Sequence, residues 1–436
     1  MNQAPTTPVA HPTFAEALSV WARIGVLSFG GPAGQIALMH RVLVEERRWL
    51  DERQYLSALN FCMLLPGPEA MQLATYAGWR LHGVGGGLAA GLLFVLPGAA
   101  LILVLGLLYA SFGKLPVAEA LFVGIKAAVL AIIIEALLRV AKRALRSRAD
   151  WLVAGAAFAA LFLFAVPFPL IVAAALLIGY LTSGGPAQDV EAAAAPPPSV
   201  SHLATLRTAA IWLAVWLVPL GLVVAAFGHD HVLSQLAWFY SKLAVVTFGG
   251  AYAVLSYMAQ QVVEGYRWLT PGEMLDALGL AETTPGPLIL VTEFVGVLAA
   301  ARHGGGPPML MGVLGALVTL WATFAPCFLW IFAGAPYIER LTHEPRLSGA
   351  LRAVTAAVVG VILNLTLWFA LHVLFADVAT VTAGWLRLSV PTLATFQPAL
   401  AGLALIAALV LFVLKRGILA TLAVTAAAGL ILAYAA

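Results

Sequence analysis

Charge is scarce in this chain: Lys, Arg, Asp and Glu together make up 10% of its 436 residues, where soluble domains carry about 25%. So few charged side chains cannot wet the surface of a chain this long, and a water-soluble globule is excluded. Cysteine is nearly absent. Cys62 and Cys327 are the two present, each in an apolar setting, so no disulfide or cysteine-metal framework follows. The G-x-x-x-x-G-K-S/T phosphate loop is missing, which excludes nucleotide hydrolysis by that device. There is no H-E-x-x-H motif and no Cys/His cluster, and His229 and His231 around Asp230 read as a wet turn. No metal and no cofactor are expected, and no enzyme activity. A net charge of +3 is too small to call for nucleic acid. Residues 1–13 lack the basic-then-apolar order of a cleaved signal and read as an N-terminal tail.

Apolar side chains are what the sequence has in excess, at 62% of residues and a mean hydropathy of +0.97. A membrane-spanning helix needs about 20 mostly apolar residues. Such stretches fall near 14–40, 55–80, 86–112, 117–140, 151–182, 206–227, 233–260, 274–300, 307–335, 351–376, 397–414 and 417–436. The Pro167-Phe168-Pro169 break can divide 151–182 into two helices. The expectation is an all-α integral membrane protein with about 11–13 transmembrane helices. Residues 183–205, rich in Pro, Gly and small side chains, read as a solvated linker. It separates an N-terminal domain, 14–182, from a connecting helix, 206–227, and a C-terminal domain, 228–436.

The two domains repeat one another. Phe29-Gly30-Gly31 returns as Phe248-Gly249-Gly250, Trp49-Leu50 as Trp268-Leu269, and Pro66-Gly67-Pro68 as Pro285-Gly286-Pro287. Glycines 85–87 return as 304–306, all at an offset of 219 residues, and 18 of the 59 positions from 29 to 87 are identical in that frame. Pro97 and Pro326 pair at offset 229, which implies ten extra residues in the second half, around Gly304 to Pro308. Basic residues cluster at Arg41–Arg53 and Arg139–Arg148 in the first half, but at Arg340, Arg346, Lys415 and Arg416 in the second. Such a shifted bias is what inverted repeats predict. If 55–80 crosses fully, the two first-half clusters fall on opposite faces; if it enters and returns, they share one.

The Pro-Gly-Pro steps are the leading site candidates. Proline breaks the helix, and a break at membrane depth is tolerated where it is buried in protein or lines a watery cavity. Pro66, Gly67 and Pro68 would leave the amides of the next turn free for an anion, and Pro285, Gly286 and Pro287 repeat the device. A kink for packing is the plainer reading. Gly30, Gly31, Gly249 and Gly250 allow close approach of a ligand or of a second helix. Ionisable residues inside the spans are Arg23, Glu69, Lys126, Glu135, Glu282 and Glu293. Lys126 is expected to counter a divalent anion, and Glu69 and Glu282, beside the two breaks, to couple protons. Snorkelling to an interface is the alternative for Arg23 and Glu135. Thr284 adds a hydroxyl before Pro285, while Glu45, Trp49, Glu264 and Trp268 read as interface anchors.

Together these motifs resemble the chromate ion transporter family in its long two-domain form. The resemblance rests on LSFGGPAGQIALMHRVLVEERRWLDERQY, LLPGPEAMQLATYAGWRLHG and GGLAAGLLFVLPG in the first half. It extends to VTFGGAYAVLSYMAQQVVEGYRWLT and TTPGPLILVTEFVG in the second. It implies export of chromate across the bacterial inner membrane, driven by protons or ion exchange and giving chromate resistance. Its motif residues fall on Gly30, Gly31, Pro32, Glu45, Trp49, Pro66, Gly67 and Pro68, and on Gly249, Gly250, Glu264, Trp268, Pro285, Gly286 and Pro287. Ala251 stands where the first copy has Pro32, and Leu288 where it has Glu69, so the halves are not expected to bind alike, with Glu282 replacing the missing carboxylate. The implied partners are chromate or a similar oxyanion and membrane lipid; a homodimer is left open. Sulfate is isosteric with chromate, and a sulfate transporter, a passive anion channel and a membrane enzyme are the rival readings.

Overall fold

The computed structural model describes residues 11–183, 201–248, 251–338 and 344–435; Gly249, Gly250, Arg340 and most of the expected linker lie outside them. α1 (Phe14–Leu27) opens on a Thr13 cap that accepts from the Glu16 amide. It ends halfway into the bundle, and α2 (Gly31–His40) turns back. The return is fixed by the Arg47–Glu16 ion pair at 3.0 Å and by Trp49 against Trp21 at 6.5 Å. α3 (Glu52–Leu64), started by an Asp51/Gln54 capping box, again runs inward. The first arm of α4 (Glu69–Phe112) returns to where Phe14 meets His82. Non-helical dihedrals at His82 and Gly83 then redirect α4, whose second arm crosses completely. The same plan recurs in α9 (Val232–Val246), α10 (Ala251–Gln260), α11 (Pro271–Thr283), α12 (Val291–His303) and α13 (Pro308–Gly334). There the ends are tied by His231 to the Gly304 carbonyl at 3.1 Å and by Arg302 to Glu273 at 2.7 Å.

The two halves are inverted. Along the contact of α4 with α13, Gly87 faces Phe332, Gly91 faces Phe328, and Gly312 faces Leu107, so equivalent helices run in opposite directions. The remaining helices are α5 (Pro116–Ala144), α6 (Arg148–Phe164), α7 (Phe168–Thr182), α8 (His202–Phe227), α14 (Pro345–Leu374), α15 (Pro398–Ala408) and α16 (Ile418–Ala435). α6 and α7 leave their own half and pack on α14, while α15 and α16 pack on α5. Glycines permit these contacts: Gly360 meets the Ala154 carbonyl, and Gly124 the Thr425 carbonyl. Each half thus completes the other. Left-handed residues stand at matching points, Arg48 (φ 54°) with Arg267 (φ 57°) and Ala165 (φ 48°) with Lys415 (φ 50°). An antiparallel hairpin, β1 (Val378–Ala383) and β2 (Leu386–Pro391), is inserted in the second half before α15.

Six helices are long and apolar enough by themselves to cross a membrane. Among the described residues nine helical runs traverse the bundle, namely the second arm of α4, α5 to α8, and α13 to α16. Four hairpins, α1–α2, α3–α4, α9–α10 and α11–α12, enter and return. The expected count of 11–13 took nearly every apolar segment as a crossing, whereas four of the embedded segments are hairpins that return. The segment 55–80 is one that returns, so Arg41–Arg53 and Arg139–Arg148 share a face. Arg346 and Arg352 reach the same face, where Arg352 bonds Asp150 at 2.8 Å, and α15 ends towards it at Lys415 and Arg416. The expected insertion near Gly304 also holds. Gly86, close against Gly78, has its packing counterpart in Gly315 against Gly296, not in Gly305.

Candidate functional site

Both breaks lie at mid-depth. Pro285 abuts Gly98, the middle residue of the second arm of α4. Pro66, Gly67 and Pro68, and likewise Pro285, Gly286 and Pro287, are buried. The breaks are paired crosswise. The Gly67 amide donates to the Thr247 carbonyl at 2.8 Å, and the Gly286 amide to the Ser28 carbonyl at 2.9 Å. The Pro-Gly-Pro step of each half therefore abuts the residue preceding Phe-Gly-Gly in the other half. Gly67 (φ 119°) and Gly286 (φ 91°) hold backbone angles that favour glycine. Beside Gly67 the next contact is the Cys327 thiol, 3.2 Å from where a Cβ would stand, and Cys327 is the offset-229 equivalent of Gly98.

Eight helix ends converge here, and their polar groups are not equally occupied. The carbonyl ends are taken: Gln35 donates to Gly286 at 2.6 Å and to Ser28 at 3.3 Å, and Gln72 donates to Pro66 at 2.7 Å. At the start of α4, and of the 3-10 turn Leu288–Leu290 that leads into α12, no side chain caps the helix. Among the described residues the amides of Ala70, Met71, Leu288 and Ile289 have no hydrogen-bond acceptor. Helix starts carry about half a positive charge each, so the unfilled capacity at mid-depth is that of donors. The loop at Phe29, Gly30 and Gly31 is open beside the second break. Phe29 is 39% exposed, Gly30 (φ 84°) and Gly31 (φ 69°) have nothing within 4 Å of a Cβ position, and Pro32 follows in the first turn of α2.

The other expected residues sit elsewhere. Lys126 pairs with Asp276 at 3.5 Å, and Tyr109 donates to the same carboxylate at 2.7 Å. Asp276 precedes Pro285 by more than two helical turns, so Lys126 is matched and distant from the break. Glu282 accepts from Tyr252 at 2.6 Å, beside the second break. Glu69 is half-buried at the first. Thr284 returns its hydroxyl proton to the Ala281 carbonyl at 3.0 Å. Glu45 meets His40 at 3.2 Å, and Glu264 accepts from the Trp368 indole at 2.8 Å. Trp49 and Trp268 are buried, at 3% and 4% exposure, Trp268 being stacked on Tyr266 at 4.2 Å. Both act as wedges inside the protein. Sequence reasoning missed Gln35, Gln72 and Gly98. The first two carry a legible signal, amides in otherwise apolar helices near the breaks.

Comparison with known proteins follows the same division into halves. The model of the family described as "Chromate transporter" matches residues 15–180 and 234–432. The "Chromate transport protein" of Pseudomonas aeruginosa is 32% identical over 371 residues, 83% of this chain and 81% of that protein. The "Chromate transport protein" of Cupriavidus metallidurans is 29% identical, over 80% of this chain and 81% of its own length. The "Probable chromate transport protein" of Synechococcus elongatus is 30% identical, over 81% of this chain and 84% of its own. No solved structure matches.

Proposed function

Because the chain belongs to the chromate transporter family, we propose that it exports chromate across the bacterial inner membrane by alternating access and so confers chromate resistance. The observation that carries this reading is the set of unaccepted amides at the start of α4 and in the Leu288–Leu290 turn before α12, at mid-depth, opposite occupied carbonyls. A tetrahedral dianion is the ligand such donors suit. Each site is composite: the first joins Gly67 and Pro68 to the Phe248 loop, the second joins Gly286 and Pro287 to Gly30 and Gly31. The breaks are packed shut and the Gly30 loop is open, as a carrier with one side accessible requires. Glu69 and Glu282, beside the breaks, serve as groups whose proton offsets the dianion. The face with most Lys and Arg is cytoplasmic by the positive-inside rule.

Reconstituted vesicles test the proposal. Chromate flux should respond to a pH difference imposed at fixed voltage and fall when Gly67 is replaced. Flux that follows only the anion's electrochemical gradient would point to a channel, and stronger competition by sulfate than by chromate itself would reassign the substrate.

A further inference from the structure

One buried acid has no part in the site so far. Glu293 lies on α12 between Pro287 and the opposite face; its exposure is 0%, and neither carboxylate oxygen has a hydrogen-bond partner among the described residues. The next residue, Phe294, packs on Tyr109 at 5.2 Å, and Gly296 packs on Thr319 of α13. α12 and α13 run antiparallel, so one turn back from Gly296 is level with one turn on from Thr319. That places Thr323 at the height of Glu293. Its hydroxyl, 5% exposed as a residue, is likewise unpartnered. The first half has no acid here: Ala74 stands 219 residues before Glu293 in the sequence repeat, and Thr75 is its equivalent by the packing of Gly78 with Gly296.

Charged and titratable side chains on the elements packed around α12 are engaged elsewhere. On the second arm of α4, which meets this region at Gly98 and Gly106, Tyr109 donates to Asp276; Glu69, Arg80 and His82 lie on the first arm. On α11, Asp276 has Lys126, Glu273 has Arg302, and Glu282 has Tyr252. On α9, Lys242 lies over the Phe239 and Tyr257 rings and Tyr240 donates to Met258. On α13, Cys327 donates to the Thr323 carbonyl. Glu293 thus has no counter-charge among the described residues, and an ionised carboxylate so placed would stand unpaired in an apolar setting.

We infer that Glu293 is a proton-binding site of the transport cycle, holding its proton while α12 is packed on α13 and releasing it to water when the two part. This rests on the oxyanion-transport reading and adds a carboxyl that is remote from both breaks. Proteoliposomes with an entrapped pH dye test it through two assays, chromate–chromate exchange at equal pH and proton movement during net chromate flux. Glu293→Gln should keep exchange within about twofold of wild type and lower the number of protons moved per chromate, leaving those carried at Glu69 and Glu282. Glu293→Asp should restore the wild-type number. Wild-type proton movement in Glu293→Gln overturns the assignment. Wild-type vesicles that exchange no chromate overturn the oxyanion reading instead. In that case, or if Glu293→Gln fails to insert, carbodiimide labelling of the wild-type protein decides. Dicyclohexylcarbodiimide attacks protonated carboxyls in apolar sites, so peptide mapping should find it on Glu293, with less at higher pH. An unlabelled Glu293 at every pH rejects the inference.

Discussion

The amide of Gly67 reaches across the pseudo-symmetry axis to the carbonyl of Thr247, 2.8 Å away, and fixes the first break against the other half of the chain. A side chain at Gly67 would stand 2.8 Å from the Gln72 amide nitrogen and 3.2 Å from the Cys327 sulfur, at a φ of 119°. Gly67→Ala should therefore cost about 1–2 kcal/mol from backbone strain alone, and more from contact. Chromate flux per inserted molecule is expected to fall at least tenfold, measured in vesicles matched for protein content. Unchanged flux would show that the crosswise pairing is dispensable.

Gln35 offers a sharper test of the second break, because its side-chain amide bridges Ser28 and Gly286 from a site with 1% exposure. Gln35→Glu removes the donor and sets a carboxylate against two carbonyls, whereas Gln35→Leu leaves those carbonyls unbonded. Each should destabilise the detergent-solubilised protein, by about 1–3 kcal/mol for Leu and by more for Glu, and so lower its melting temperature. Equal melting of wild type and Gln35→Glu would mean that the bridge does not form.

Lys126 can be assigned by a double-mutant cycle with Asp276. Lys126→Met alone strips a 2%-exposed carboxylate of its cation, a change of about 3–5 kcal/mol. Lys126→Met with Asp276→Asn removes the charge pair together, and most of the stability and of the chromate exchange should return. If the double variant is stable but inactive, Lys126 contacts the oxyanion after all.

The fold was legible in the sequence to the extent that it rests on covalent order. Proline and glycine mark where helices break, and Pro66-Gly67-Pro68 matched by Pro285-Gly286-Pro287 exposed the repeat. The relation between halves was harder, because hydrogen bonds such as Gly67 to Thr247 join positions that no periodicity links. Reading each half as its own site missed this exchange. Lys126 shows the same gap: a lysine in an apolar span signals a counter-charge, but sequence alone does not identify Asp276 as that partner. Trp49 and Trp268 resemble interface anchors by position, yet the returning hairpins carry both into protein contacts.

Water access at mid-depth is the remaining prediction, and it follows from the contrast between Phe29 at 39% exposure and Leu288 at 3%. Exposure in a membrane protein means water or lipid, and a charged thiol reagent distinguishes them because it does not react from hydrocarbon. With Cys62 and Cys327 replaced by alanine, Phe29→Cys should be labelled by a membrane-impermeant cationic methanethiosulfonate, and Leu288→Cys should not. If the reagent enters by the substrate path, chromate should slow labelling of Phe29→Cys several-fold, since a dianion held by the nearby amides of Leu288 and Ile289 would stand in its way. Labelling from the basic face would identify this conformation as open towards the cytoplasm. An unreactive Phe29→Cys in a folded, transporting protein would place the Gly30 loop in lipid and leave the second break without an entrance.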